Sequence, residues 1–282
     1  MAPYDKAAKR LEDRRRDADP SWPEPCDVLV IGSSVACGRA AYRSQGWVQK
    51  LKAELGPEFK FVNEAIPGSN TAVAKLSMAA GLLRWKPKNV IVTLSLGNEG
   101  LKRVKEKKES AEKDAKELAD CFLNGIRELV NQAKAVGASV ILGSVYPNSN
   151  YTTVHYAELR RAHEVMKRMD MAAFIDFLSV LDDGSGRWRP GEHADQGHPN
   201  SAGHAIMFEA ARPLVGLLQQ SCARQAALSR DEPQSAQQMR PSCEGSSGES
   251  QAWPNVQGST LILSIVALAA GSFLLAAVRL QR

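Results

Sequence analysis

The chain has 282 residues, a formal net charge of +5, 44% hydrophobic and 24% charged residues. That is an ordinary globular composition, large enough for one sizeable core. Aromatics are few, at 6%, and no basic stripe is interleaved with them, so no nucleic-acid partner is expected. The five cysteines (Cys26, Cys37, Cys121, Cys222, Cys243) form no C-x-x-C pair and are odd in number. Neither a disulfide framework nor a zinc site has that spacing, and reduced thiols in the cytosol fit best.

Residues 1–25 are charged and then Pro-rich, ending in Asp19-Pro20-Ser21-Trp22-Pro23-Glu24-Pro25. They predict a frayed helix and then a linker or an edge strap, with Trp22 packed on the domain. The segment has no apolar h-region, and its acids are unlike a transit peptide, so neither secretion nor organelle import is expected.

Residues 26–219 alternate apolar β-branched runs with helical periodicity. Val28–Ile31, Phe59–Asn63, Asn89–Leu94, Ser139–Gly143 and Phe174–Phe177 predict five strands. Helices are predicted over Gln45–Leu55, from a cap at Ser69 or Asn70 to about Trp85, over Leu101–Val136, Tyr156–Met169 and Ser201–Gln219. Within the third, Lys102–Glu117 reads as a solvated mixed-charge face, whereas Leu118, Phe122, Ile126, Leu129 and Val130 form a docking stripe. Asp182–Pro199 reads as a loop. Such alternation predicts one parallel sheet with helices on both faces. Ligands would then meet the loops after strands one, two and three and the loop before the last helix, at the carboxyl edge.

Residues 220–258 shift to Gln, Ser, Pro and Arg, the composition of a disordered linker. Residues 259–278 contain the charge-free run Thr260–Val278, long enough to cross a bilayer, followed by a basic tail over 279–282. With no domain left to bury it, this run predicts a single-pass C-terminal transmembrane helix, with the globular domain on the cytosolic side. A glycolipid-anchor signal at Ser246-Ser247-Gly248 is the rival, opposed by the terminal arginines.

Four signals carry chemistry. Gly32-Ser33-Ser34 follows the first strand. It lacks both phosphate-cradle patterns, leaving a plain tight turn or a serine hydroxyl presented at the sheet edge. Gly68 opens the second helix, as a loop glycine or as a backbone donor aimed into a site. Asn98 is a turn residue or a side-chain donor for an oxyanion. Asp195-Gln196-Gly197-His198 is a helix-initiating turn, or an acid holding one imidazole nitrogen so that the other acts as a base. His155 and His163 read as packing or surface residues, His204 as a packed or capping one, and His193 as loose loop. No group of His, Cys and acids has metal-ligand spacing, so no metal or other cofactor is expected.

In chain order, Ser34, Gly68, Asn98 and Asp195-x-x-His198 resemble the SGNH hydrolases, the GDSL esterase/lipase superfamily. The blocks are Val30–Ser34, Asn63–Gly68, Leu96–Glu99, and Asp195–Asn200 with Gly203-His204. The resemblance implies a flavodoxin-like three-layer α/β/α sandwich and metal-independent ester hydrolysis. It also implies Ser34 as nucleophile, His198 and Asp195 as base and orienting acid, and Ser34, Gly68 and Asn98 as oxyanion donors. Two positions depart: Ser33 replaces the family's aspartate, and Leu96 replaces a glycine two residues before Asn98. The expected function is a tail-anchored esterase acting on lipid acyl esters or acetylated carbohydrate. A catalytically inactive, membrane-tethered binding module and an acyltransferase are the alternatives.

Overall fold

The computed structural model describes residues 25–43 and 45–221. The charged and Pro-rich N-terminal segment, the 220–258 linker, the membrane span and the basic tail lie outside the described residues, except for Pro25 and the first two linker positions. Among the described residues, no helix is long and apolar enough to cross a membrane.

Five strands, β1 (Val28–Gly32), β2 (Phe61–Asn63), β3 (Asn89–Thr93), β4 (Ser139–Gly143) and β5 (Ala173–Ile175), form one parallel sheet in the order β2-β1-β3-β4-β5. This is the flavodoxin-like order. Successive side chains of a strand point to opposite faces, and here both faces are covered. Leu29, Ile31, Val90, Val92, Val140 and Leu142 enter one core, while Val28, Val30, Ile91 and Ile141 enter the other. That is why the strands read as unbroken apolar runs instead of alternating ones.

The first core is closed by α2 (Thr71–Trp85), α4 (Ala111–Ala135) and α5 (Thr153–Lys167) through Met78, Phe122, Ile126, Leu129, Leu159 and Met166. The second is closed by α1 (Trp47–Leu55), α6 (Phe177–Leu181) and α7 (Ser201–Ala211) through Trp47, Leu51, Phe177, Met207 and Phe208. Three layers result. Asn70 caps α2 by accepting from the Val73 N–H at 3.1 Å.

Four elements differ from expectation. The fifth strand, expected over Phe174–Phe177, runs Ala173–Ile175, and Phe177 instead starts α6, whose Asp176 cap accepts from the Ser179 N–H at 2.9 Å. The helix predicted from Leu101 breaks into α3 (Leu96–Glu99), a 3₁₀ turn (Leu101–Arg103) and α4, which starts only at Ala111. Gly100 takes φ +126°, Val104 is extended, and its carbonyl accepts from His155 Nε2 at 3.0 Å. The following Lys105–Glu109 offers no apolar side chain to dock, so its helical propensity goes unsupported by packing. The loop before the last helix contains a hairpin of β6 (His193–Asp195) and β7 (His198–Pro199). The last helix breaks at Arg212-Pro213 and resumes over 214–221.

Candidate active site

The first strand delivers Ser34. After Gly32 the chain folds into tight turns, with the Cys37 and Arg39 N–H groups donating to the Ser33 and Ser34 carbonyls at 3.1 and 3.0 Å. Ser34 is left 7% exposed. Its Oγ lies 2.9 Å from His198 Nε2, across 164 positions of sequence.

The β6–β7 hairpin supplies the other two groups. His198 Nδ1 stands 2.7 and 2.9 Å from the two Asp195 carboxylate oxygens. An ionised carboxylate only accepts, so Nδ1 carries the proton and Nε2 is left to accept from the serine hydroxyl. Burial works to raise the Asp195 pKa. The Gly197 N–H at 2.8 Å, the His198 hydrogen bond and the charges of His198 and Arg39 outweigh it, and the carboxyl sits below its ordinary value. Asp195 therefore stays ionised while it orients the ring.

The hairpin is held at both ends. Asn200 caps α7, its Oδ1 accepting from Ala202 and Gly203 N–H at 2.9 and 3.0 Å, and its Nδ2 donates to the Gly191 carbonyl at 2.7 Å. A Cβ on Gly203 would lie 2.2 Å from the Glu192 carbonyl oxygen, so only glycine lets α7 approach the hairpin this closely. The Gln196 carbonyl, between Asp195 and His198, accepts from Trp188 Nε1 at 3.0 Å and from the Ser149 N–H at 2.8 Å.

Gly68 and Asn98 lie in the segments after β2 and β3, at the edge of the sheet that carries Ser34. Gly68 adopts φ +80°, a conformation that side chains disfavour. Asn98 Nδ2 donates one hydrogen to the Ser69 carbonyl at 3.1 Å, joining the two segments. Beside it, Glu99 accepts from Thr71 twice, from the N–H at 3.0 Å and from Oγ1 at 2.6 Å, at the start of α2. Asn63 connects the Gly68 segment to the serine turn, donating to the Ala36 carbonyl at 2.9 Å.

The two departures acquire local explanations. Ser33 is fully buried and hydrogen-bonded to the Tyr146 hydroxyl at 3.1 Å. Leu96 packs into the first core at the start of α3, whose cap is Ser95 accepting from the Gly97 N–H at 3.0 Å. The backbone before Asn98 is thus a capped helical turn.

Of the remaining histidines, His155 belongs to the Thr152 capping box of α5. His163 is buried with Nε2 3.7 Å from Asp176, and burial lowers its pKa. His204 is fully buried, accepting from the Trp47 N–H at Nδ1 and donating from Nε2 to the Arg39 carbonyl at 2.9 Å. His193, expected in loose loop, belongs to β6. No group of three or more His, Cys, Asp or Glu side chains among the described residues is placed to hold a metal ion. Sequence reasoning missed Tyr146, Trp188 and Gln196. Tyr146 follows β4 at the sheet's carboxyl edge, and that position was its only signal.

The model of the GDSL-like lipase/acylhydrolase family matches residues 30–206. This chain belongs to that family. Esterase TesA of Pseudomonas aeruginosa is 26% identical over 192 residues, 67% of this chain and 87% of that protein. A crystal structure of TesA covers 68% of this chain and 99% of its own at 25% identity, with a TM-score of 0.52. The psychrotrophic esterase EstA from Pseudoalteromonas sp., in a structure inhibited by monoethylphosphonate, covers 69% and 98% at 16% identity and a TM-score of 0.52. That last likeness concerns the fold. Family and relatives together support a GDSL-type hydrolase acting on esters.

Proposed function

We propose that the chain is a serine ester hydrolase that needs no metal, anchored to a membrane by Thr260–Val278 with its catalytic domain in the cytosol. The observation that carries the enzymatic reading is the continuous chain Ser34 Oγ, His198, Asp195, with contacts of 2.9 and 2.7 Å. It also favours a working enzyme over an inactive binding module, since such a module has no need for an aligned base.

The chemistry follows from these groups. Ser34 Oγ attacks the ester carbonyl while His198 Nε2 takes its proton. The tetrahedral oxyanion draws on the Ser34 and Gly68 backbone N–H groups and the remaining N–H of Asn98. Collapse breaks the bond to the alcohol, which receives the proton from His198 and leaves. Water then enters, gives its proton to His198 and attacks the acyl-serine. The second collapse releases the acid and returns the proton to Ser34. An alcohol in place of that water would make the same site an acyltransferase.

TesA is named an esterase, and carboxylic esters are the substrate class we assign. The reading of Thr260–Val278 as a span rests on its length and lack of charge. A domain tethered at a bilayer meets lipid acyl esters at high local concentration, which favours them over acetylated carbohydrate.

A fluorophosphonate probe tests the nucleophile: labelling at Ser34, lost in Ser34→Ala, is expected. A folded wild-type protein that takes no label sinks the enzyme reading. A panel of short-chain, long-chain and acetyl-sugar esters fixes the substrate class. Fractionation with and without Thr260–Val278 tests the anchor, and a soluble full-length chain would refute it.

A further inference from the structure

We propose that Tyr146 is a positioning residue that holds the Ser34 turn and the Asp195–His198 hairpin in register through Ser33 and Trp188. The inference rests on the serine-hydrolase reading above and extends it to a residue outside the reacting groups.

Tyr146 lies three residues past β4 and is 3% exposed. Its hydroxyl is hydrogen-bonded to Ser33 at 3.1 Å, the residue before Ser34. Burial pushes the Tyr146 pKa up to about 12, so the hydroxyl remains a neutral donor and acceptor at any working pH. The ring stacks on Trp188, with centroids 5.9 Å apart and planes 28° from parallel. The Trp188 indole N–H donates to the Gln196 carbonyl at 3.0 Å, between Asp195 and His198. The segment that carries Tyr146 adds two more holds on Gln196, from the Ser149 N–H at 2.8 Å and from Asn150 Nδ2 to its side chain at 2.7 Å.

Plain core packing accounts for a buried aromatic stack. It does not account for where the two contacts lead. One runs to the residue before Ser34, the other through Trp188 to the peptide linking Asp195 to His198. The two segments are far apart in sequence, so their relative placement depends on such ties. Ser33 fits the same account. A small hydroxyl there leaves room for the Tyr146 hydroxyl and pairs with it inside the protein, where an unpaired polar atom would be costly.

The test compares wild type, Ser33→Ala, Tyr146→Phe, the double variant and Trp188→Phe. It measures kcat and KM on p-nitrophenyl acetate and the rate of fluorophosphonate labelling, well below each melting temperature. Small misplacements of reacting groups cost much in rate. Tyr146→Phe and Ser33→Ala are therefore each expected to lower kcat and the labelling rate about tenfold or more, with KM within about twofold. Because one hydrogen bond links them, the double variant should be no slower than the slower single. Trp188→Phe keeps the stack, removes one of the two hydrogen bonds on the Gln196 carbonyl, and should slow labelling and alter its pH dependence.

A wild-type kcat in Tyr146→Phe overturns the inference, as does a double variant whose loss is the product of the singles. Should Tyr146→Phe not fold, Ser33→Ala and Trp188→Phe pose the same question, and wild-type kcat in both overturns it. If wild-type protein labels at Ser34 while the variants match it, only this inference fails. If wild-type protein neither labels nor hydrolyses, the underlying reading fails and takes this one with it.

Discussion

The two halves of the site are built in opposite ways. On the proposed base side, Asp195 and His198 are three positions apart and meet within one hairpin, with Gly197 N–H on the same carboxylate. On the proposed oxyanion side, Ser34, Gly68 and Asn98 come from segments following three different strands and are related by the sheet and by cross-bonds from Asn63, Asn98 and Glu99. The base pair is local, and its acid side chain is 52% exposed. The donors are long-range, and the serine among them is nearly buried. The pair meets locally, and only its placement against Ser34 draws on the rest of the fold, whereas the dispersed donors depend on the fold even to meet one another.

Removing reacting groups should break the comparison most severely. Ser34→Ala and His198→Ala are each expected to lower kcat by roughly 10⁶-fold, and Asp195→Ala by roughly 10⁴-fold, as in other serine triads. All three should melt near wild type, because Ser34 is small and the hairpin pair is partly solvated. A matched loss of melting temperature would show that the pair also supports the fold. Next comes the dispersed side. Asn98→Ala should leave a slow enzyme, down roughly 10²–10³-fold in kcat at nearly unchanged KM. It should also lower stability measurably, because it cuts the bond to Ser69. Equal kcat in Asn98→Ala and wild type would remove Asn98 from the oxyanion role.

The smallest expected effect is on stability against pH. Burial lowers the His204 pKa, so the folded state resists its protonation more than the unfolded chain does. Its contribution is fully present above the ordinary imidazole value of 6.5 and is lost as pH falls below it. Asp195 has the same sign lower down: its contribution holds above the ordinary carboxylate value of 3.8 and is lost beneath it. Urea midpoints between about pH 7 and pH 5 should fall in wild type and fall less steeply in His204→Gln. Parallel slopes would clear His204 of any part.

The same contrast governs how much could be read from sequence. Asp195-x-x-His198 is legible because an acid and a base with local spacing announce each other, and the strands because both faces are buried. Ser34 and the donors gained meaning as an ordered series on one sheet edge. Tyr146, Trp188 and Gln196 stayed silent because their contacts span 113, 42 and 8 positions, and spacing at such distances carries no pattern. The β6–β7 hairpin is three residues paired with two, too short for any alternation to register. The helix placed from Leu101 failed for the converse reason. Its mixed charges satisfy helical spacing, yet nothing apolar between Val104 and Ala111 fastens them to the core.

The Glu99 clamp on Thr71 bears on how a turnover ends. A helix of fifteen residues begins at Thr71, and its N-terminus attracts negative charge. That attraction is already met by the Glu99 carboxylate, which accepts from both the N–H and the hydroxyl of Thr71. An ester arrives neutral, but the acid cut from it departs as an anion. For the proposed hydrolysis, a carboxylate already seated at this helix start leaves the released acid without that site, and weak inhibition by the free acid is the expected result of a product titration. Glu99→Gln gives up the seated charge, and the released acid should then bind more tightly.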